Sequence, residues 1–217
     1  MVNGFNGDAT FSGKKGLRSG RQKGAESYIT SPDFCGRLSY YGYKGLNLGF
    51  STYFGESEST SYEGLDLSDE SAVASADSTI IGVQMIGLDA RYQSGPYHFR
   101  GQYVVANLSN TSQYNLKKST DLGSKMTGYY AELAYNLLAN FNTKEELIAF
   151  SRYENYNTHA EVDGIVLNEA YNRTDVTLGI GWKVAKGAMF KVDYQIFSNE
   201  STEDQTSQFN FGTAIWF

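Results

Sequence analysis

Proline is almost missing, with two residues in 217, and cysteine and histidine are no commoner, at one and two. So little proline leaves long β-ladders uninterrupted, because proline removes a ladder donor and is confined to edges and bulges. A lone cysteine excludes an internal disulfide. Cys35 lies inside a predicted strand with no histidine motif beside it, which reads as a small packing residue. The two histidines, His98 and His159, are far from an i, i+4 pair, so no zinc spacing exists and neither metal nor cofactor is expected. No run reaches the ~18 apolar residues of a membrane helix. Mean hydropathy is −0.42 and charged residues are only 19%, but a membrane β-barrel hides its apolar band in alternation and shows no such run either. The net charge of −6 and bases that form no stripe with aromatics argue against nucleic acid. The amino terminus, MVNGFNGDATFSG, lacks the basic stretch and apolar core of a signal peptide. An exported protein would have lost one, or the chain starts inside a longer protein.

What is present in excess is glycine (23), tyrosine (17) and phenylalanine (13), a composition suited to strands. The last eleven residues, SQFNFGTAIWF, put Phe209, Phe211, Thr213, Ile215 and Phe217 on one parity and Gln208, Asn210, Gly212, Ala214 and Trp216 on the other. That is the two-residue period of a half-buried strand. The same contrast recurs in eight earlier stretches: 34–41, 44–54, 79–92, 97–107, 125–137, 145–155, 173–184 and 189–197. Leu46, Leu48, Phe50, Ile86, Leu88, Tyr103, Leu133, Leu178, Ile180 and Tyr194 fall on the apolar faces. Short turns are expected after the first, third, fifth and seventh strands, and long polar loops after the second, fourth, sixth and eighth. Residues 1–33 read as a long basic extracellular loop, 55–78 as a solvated acidic one, and His159 falls in a third. Outer-membrane barrels alternate short periplasmic turns with long outer loops, and most of these stretches approach or exceed the ~9 residues that a tilted strand needs to cross the hydrocarbon.

Charge offers a partly independent check. Arg37, Asp89, Arg91, Arg100, Glu132, Arg152, Glu154, Asp175, Lys183, Lys191 and Asp193 all sit opposite the apolar parity, and His98 sits with them. A lysine or arginine facing lipid at mid-depth costs ~2–4 kcal/mol, whereas facing a wet lumen it costs little, so these twelve residues are the expected pore lining. Tyr92, Tyr97, Tyr135 and Trp182 stand near the turns, as an interfacial aromatic girdle would. The expected fold class is therefore all-β: a transmembrane antiparallel up-and-down β-barrel, with residues 34–217 as its carboxyl-terminal strands. Nine is odd, and an open edge in lipid leaves backbone groups unpaired, so the chain reads as part of a larger barrel of about 16–18 strands. The competing expectation is a soluble or surface β-sandwich acting as a binding module.

The hairpins GLDARYQSGPYHFRGQYV, YYAELAYNLL with AFSRYENYNT, and TLGIGWKVAKGAMFKVDYQIF, followed by FNFGTAIWF, resemble the carboxyl-terminal half of porins of the phosphate-selective porin O and P family of Gram-negative bacteria. The resemblance covers most of residues 34–217. It implies an outer-membrane, water-filled channel of about 16 strands, commonly a homotrimer in contact with lipid and lipopolysaccharide. Its terminal aromatic strand would be recognised by the barrel-assembly machinery. Members selective for phosphate carry a ladder of basic residues down the lumen. The lining charges here are near balance, and rings of one sign are what make a pore selective, so the expected activity is passive diffusion of small hydrophilic solutes or ions, anions and phosphate included. Lys14, Lys15, Arg18, Arg21 and Lys23 would act as an anion filter if residues 1–33 fold into the lumen, and would bind lipopolysaccharide phosphates or stay solvated if they do not.

No enzyme is expected. A Ser-His-acid site would need His98 to find partners on other strands, which leaves an outer-membrane hydrolase as the remaining alternative. Gly179 and Gly181 form no phosphate loop, since no helix follows them. Asp89 with Arg91, Arg152 with Glu154, and Lys191 with Asp193 are expected to pair along their own strands.

Overall fold

The computed structural model describes residues 4–22 and 29–215. Nine strands form one antiparallel sheet in consecutive order: β1 Phe34–Tyr40, β2 Leu46–Glu56, β3 Gly82–Ser94, β4 Tyr97–Ser109, β5 Lys125–Asn136, β6 Glu146–Glu161, β7 Asn172–Ala185, β8 Ala188–Asn199 and β9 Thr202–Ile215. No second sheet packs on it among the described residues, so the two-layer arrangement of a β-sandwich is not formed. The sheet does not close, and β1 and β9 are its edges.

Register follows the alternation. Leu48 lies opposite Tyr40 and Ala90, Leu88 opposite Phe50 and Tyr103, and Leu178 opposite Ser151 and Tyr194. One face of the sheet is bare. Leu133 is 65% exposed while Glu132, its neighbour on the other face, is 8% exposed; Leu178 is 52% exposed and Thr177 is 6%. A protein folded for water does the reverse, because burying aliphatic surface is worth roughly 25 cal/mol per Å² and burying charge is costly. On the bare face, aromatic pairs gather beside the short turns. Tyr97 packs on Tyr135 at 4.9 Å, Trp182 on Phe190 at 6.2 Å and Tyr43 near Tyr92 at 6.4 Å between ring centroids.

The connections are more structured than the polarity of their residues implies. Residues 55–78, expected to be a solvated loop, end β2 and then hold helix α1, Glu70–Asp77. Its N-cap is Asp69, whose side chain accepts from Ser71 N at 3.0 Å and Ala72 N at 3.1 Å. A further bond from Ser71 Oγ at 2.7 Å, the largest influence, and these backbone bonds hold the Asp69 carboxyl below its ordinary range. Helix α2, Thr111–Lys118, occupies the next loop. β6 runs on to Glu161, so His159 belongs to a strand rather than a loop. The connection from β8 to β9, expected to be long, is only Glu200 and Ser201, because both strands continue into the polar stretch. Trp216 and Phe217 of the terminal motif lie outside the described residues. Cys35 is exposed on the edge strand instead of packed.

A buried apolar cluster sits at the long-loop end. Phe11 and Leu17 pack with Ile81, Val83, Leu108, Tyr114 and Leu122, with Phe5, Tyr53, Met85 and Met126 around them. Tyr53, Val83, Met85, Leu108 and Met126 share the parity of the charges, so residues 4–22 lie on the charged face. The amino-terminal segment is therefore packed on the sheet, not solvated, and the reason is its spaced aromatics.

Candidate functional site

The charged face is a wall of interlocked ion pairs. Arg37 reaches from β1 over β2 to Asp89 on β3, with Nη1 and Nη2 donating at 2.8 and 3.0 Å. Gly49 makes this crossing possible, since a Cβ there would collide with both side chains. Arg100 and Glu132 face each other across β4 and β5, with Nε donating at 3.0 Å and Nη2 at 2.5 Å. Arg152 pairs with Glu154 at 2.9 Å, Lys183 with Glu146 at 2.9 Å, and Lys191 with Asp193 at 3.1 Å. Two of the three pairs expected along one strand are thus formed. The third is replaced: Asp89 turns to Arg37, and Arg91 makes no ion pair among the described residues. Glu146 and Arg173 share this parity and stand at the starts of stretches predicted as strands, but were not among the expected lining residues. Arg173 stands 5.7 and 5.6 Å from the ring centroids of Tyr156 and Tyr171. Asp175 is buried beside Tyr156 and Arg173.

Two cavities occupy opposite ends of this face. Near the short turns, one of about 550 Å³ is lined by Arg91, His98, Arg100, Lys191, Phe150 and Met189, among others. His98 forms no hydrogen bond among the described residues. Near the long loops, one of about 650 Å³ lies between the amino-terminal segment and the wall, bounded by Phe5, Leu17, Arg18, Arg21, Met85 and Met126. Lys14, Lys15, Arg18 and Arg21 are all exposed. Lys23, grouped with them by sequence, lies outside the described residues.

Three clamps hold residues 4–22 in place. Tyr114 is fully buried, stacks on Phe11 at 5.4 Å, and donates its hydroxyl to Ala9 O at 2.6 Å while accepting from Phe11 N at 3.2 Å. Burial, the larger influence, raises its phenol above the ordinary range. Glu58, which falls in the stretch expected to be a solvated acidic loop, is completely buried. Its carboxylate accepts from Thr30 N, Thr30 Oγ1 and Ser31 N, and its backbone bridges Phe5 and Gly7. The third clamp is Asp121, which accepts from Gly13 N at 2.9 Å and from Tyr171 Oη at 2.6 Å. His159, fully buried against Tyr171, donates from Nε2 to Asp121 O at 2.5 Å and accepts at Nδ1 from Asn168 N at 3.2 Å. Sequence polarity concealed these contacts. The one available signal was the set Phe5, Phe11 and Leu17, apolar residues set at intervals of six in a glycine-rich stretch.

No protein-family model matches the chain, and no solved structure does. A protein of Aquifex aeolicus (strain VF5), described as an uncharacterized protein, is 28% identical over 206 residues, covering 89% of this chain and 44% of the relative. The chain thus spans less than half of that relative's length.

Proposed function

We propose that the chain forms part of the wall of an outer-membrane porin, a water-filled β-barrel for passive diffusion of small hydrophilic solutes or ions. The observation that carries this reading is the inversion of exposure across the sheet. Leucines, phenylalanines and tyrosines stand bare on one face, and carboxylates and guanidiniums are gathered on the other. So many exposed large apolar side chains gathered on one face form a patch that needs a partner solvent. Hydrocarbon is the one that fits strands of 11–16 residues from β2 to β9, because a tilted strand spans the core in ~9–11. Aromatic pairs beside the turns suit the membrane–water boundary.

An open edge in lipid leaves backbone donors and acceptors unpaired at several kcal/mol each, so a barrel of this kind takes further strands between β9 and β1. More than half of the Aquifex relative lies outside the matched region, room enough for them. In such a barrel the charged face lines the lumen, and residues 4–22 narrow it near the long loops. Lys14, Lys15, Arg18 and Arg21 then stand beside the permeation path, while the wall below is nearly neutral because its cations and carboxylates are mutually paired. The segment, more than the wall, would bias the pore toward anions.

Reconstitution of the full-length protein in planar bilayers tests the reading. Discrete single-channel current steps are expected, with an anion preference that falls when Arg18 and Arg21 are replaced by glutamine. Insertion without conductance would overturn it.

A further inference from the structure

We infer that the cavity at the short-turn end of the charged face is a binding site for small organic anions with an apolar body. The inference rests on that face being open to water, as in the proposed pore. Among the described residues, five of the six expected lining cations form an ion pair with a neighbouring carboxylate, and Arg91 forms none, with Asp89, already bound by Arg37, acting on it only through space. Arg91 lies directly opposite Arg100 in the β3–β4 register, and like charges facing each other across a ladder repel. Arg100 is only partly committed, since both of its donating nitrogens reach the same oxygen of Glu132. Two guanidiniums are thus held side by side, both exposed, with the Glu132 carboxylate on the far side of Arg100 from Arg91. That arrangement favours an incoming anion, and guanidinium forks suit a carboxylate in particular.

The floor of the cavity is not what an inorganic ion requires. Ile148, Phe150 and Met189 lie on the charged parity, where they break the polar pattern, and they line this cavity together with Arg91 and Arg100. Gly179 and Gly181 on β7 make room for them: a Cβ at Gly179 would strike the Phe150 ring, and one at Gly181 would strike the Met189 methyl. The Lys191 ammonium stands 4.7 Å from the Phe150 ring centroid, at the border between floor and rim. A half-buried aromatic and two aliphatic side chains on the wet side of a sheet cost hydration unless something apolar covers them. A cavity of about 550 Å³ is in the range that encloses a small organic ligand. Carboxylate on the arginines and hydrocarbon on the floor is the one orientation that satisfies both halves.

Equilibrium titration of the purified full-length protein in a neutral detergent at pH 7 tests this, with benzoate, inorganic phosphate and benzyl alcohol as probes. Saturable benzoate binding is expected, at least tenfold tighter than that of either of the others. Arg91→Gln should weaken it about tenfold without lowering thermal stability, because it removes a like-charge contact. Phe150→Ala should weaken benzoate while leaving the feeble phosphate binding unchanged. Absence of saturable benzoate binding, equal affinity for phosphate, or indifference to both substitutions would overturn the site. Conductance, measured separately, tells the two readings apart. Benzoate binding by a protein that forms no pore removes the pore alone, and a conducting pore that ignores benzoate removes the site alone.

Discussion

Asp121 shows how much of the long-loop end depends on single polar contacts. Burial alone would push its carboxyl up, but the hydrogen bonds from the Tyr171 hydroxyl and the Gly13 N–H, with His159 close by, together hold it below the ordinary range. The sign of the pH dependence follows. A carboxyl whose pKa is lower folded than unfolded contributes stability that is complete above the unfolded value of ~3.9 and is lost as pH falls through the folded value. The clamp on Gly13 should therefore be intact from pH 5 to 8 and loosen only below about pH 4. Hydrogen exchange at the Gly13 amide measures this directly, and loss of protection between pH 6 and 7 would refute it. At pH 7, Asp121→Asn should lower protection by the order of 1 kcal/mol, the modest worth of a charged hydrogen bond partly open to water. Gly49 teaches a related lesson. Its role depends on Arg37 and Asp89, 12 and 40 residues away in sequence, and no local pattern announces it.

Elements were legible in proportion to how local their cause is. Each of the nine strands lies where apolar and polar residues alternate, because alternation alone decides which face meets which solvent. The eleven charged residues named as the expected lining share one parity for the same reason, whereas Lys125 and Glu161, paired with each other at 2.6 Å at the ends of β5 and β6, do not. Strand ends were less legible: β6, β8 and β9 continue past the apolar pattern as ladders of polar residues. Helix α1 had a readable signal, Asp69 before an alanine-rich run, but it is short and set among acids that suggest solvent. Glu58 looks solvated in sequence because the donors that satisfy it, Thr30 and Ser31, arrive from a distant segment. The packing of residues 4–22 was hidden in the same way, and it makes a prediction of its own. Phe11 is completely buried in the cluster around Tyr114, so Phe11→Ala should cost about 3–5 kcal/mol of local stability. Trypsin should then cut at Lys14, Lys15, Arg18 and Arg21, which are exposed but tethered, while the strands stay resistant and channel current rises. Equal resistance of wild type and variant would mean that Phe11 does not hold the segment down.

At the scale of the whole molecule, the fold is decided by which solvent meets which face. Water on both sides would leave the aliphatic face of nine strands uncovered and the ion pairs of the other face with little reason to cluster. Hydrocarbon on one side and water on the other, as proposed, would satisfy both at once, with residues 4–22 covering the charged face at the long-loop end. Leu178 tests the partition with a single side chain. It is 52% exposed in the middle of β7, on the bare face. Were that face in water, Leu178→Lys would change stability by no more than about 0.5 kcal/mol, as surface substitutions usually do. Facing lipid at mid-depth it should cost ~2–4 kcal/mol. Reversible urea unfolding of the full-length protein in lipid vesicles reads the difference, with Lys183→Leu as the opposite-face control. That control should show a smaller loss, set by the Glu146 carboxylate it leaves without its partner at a watery wall. A Leu178→Lys cost near zero would return the bare face to water and remove the basis for a membrane wall.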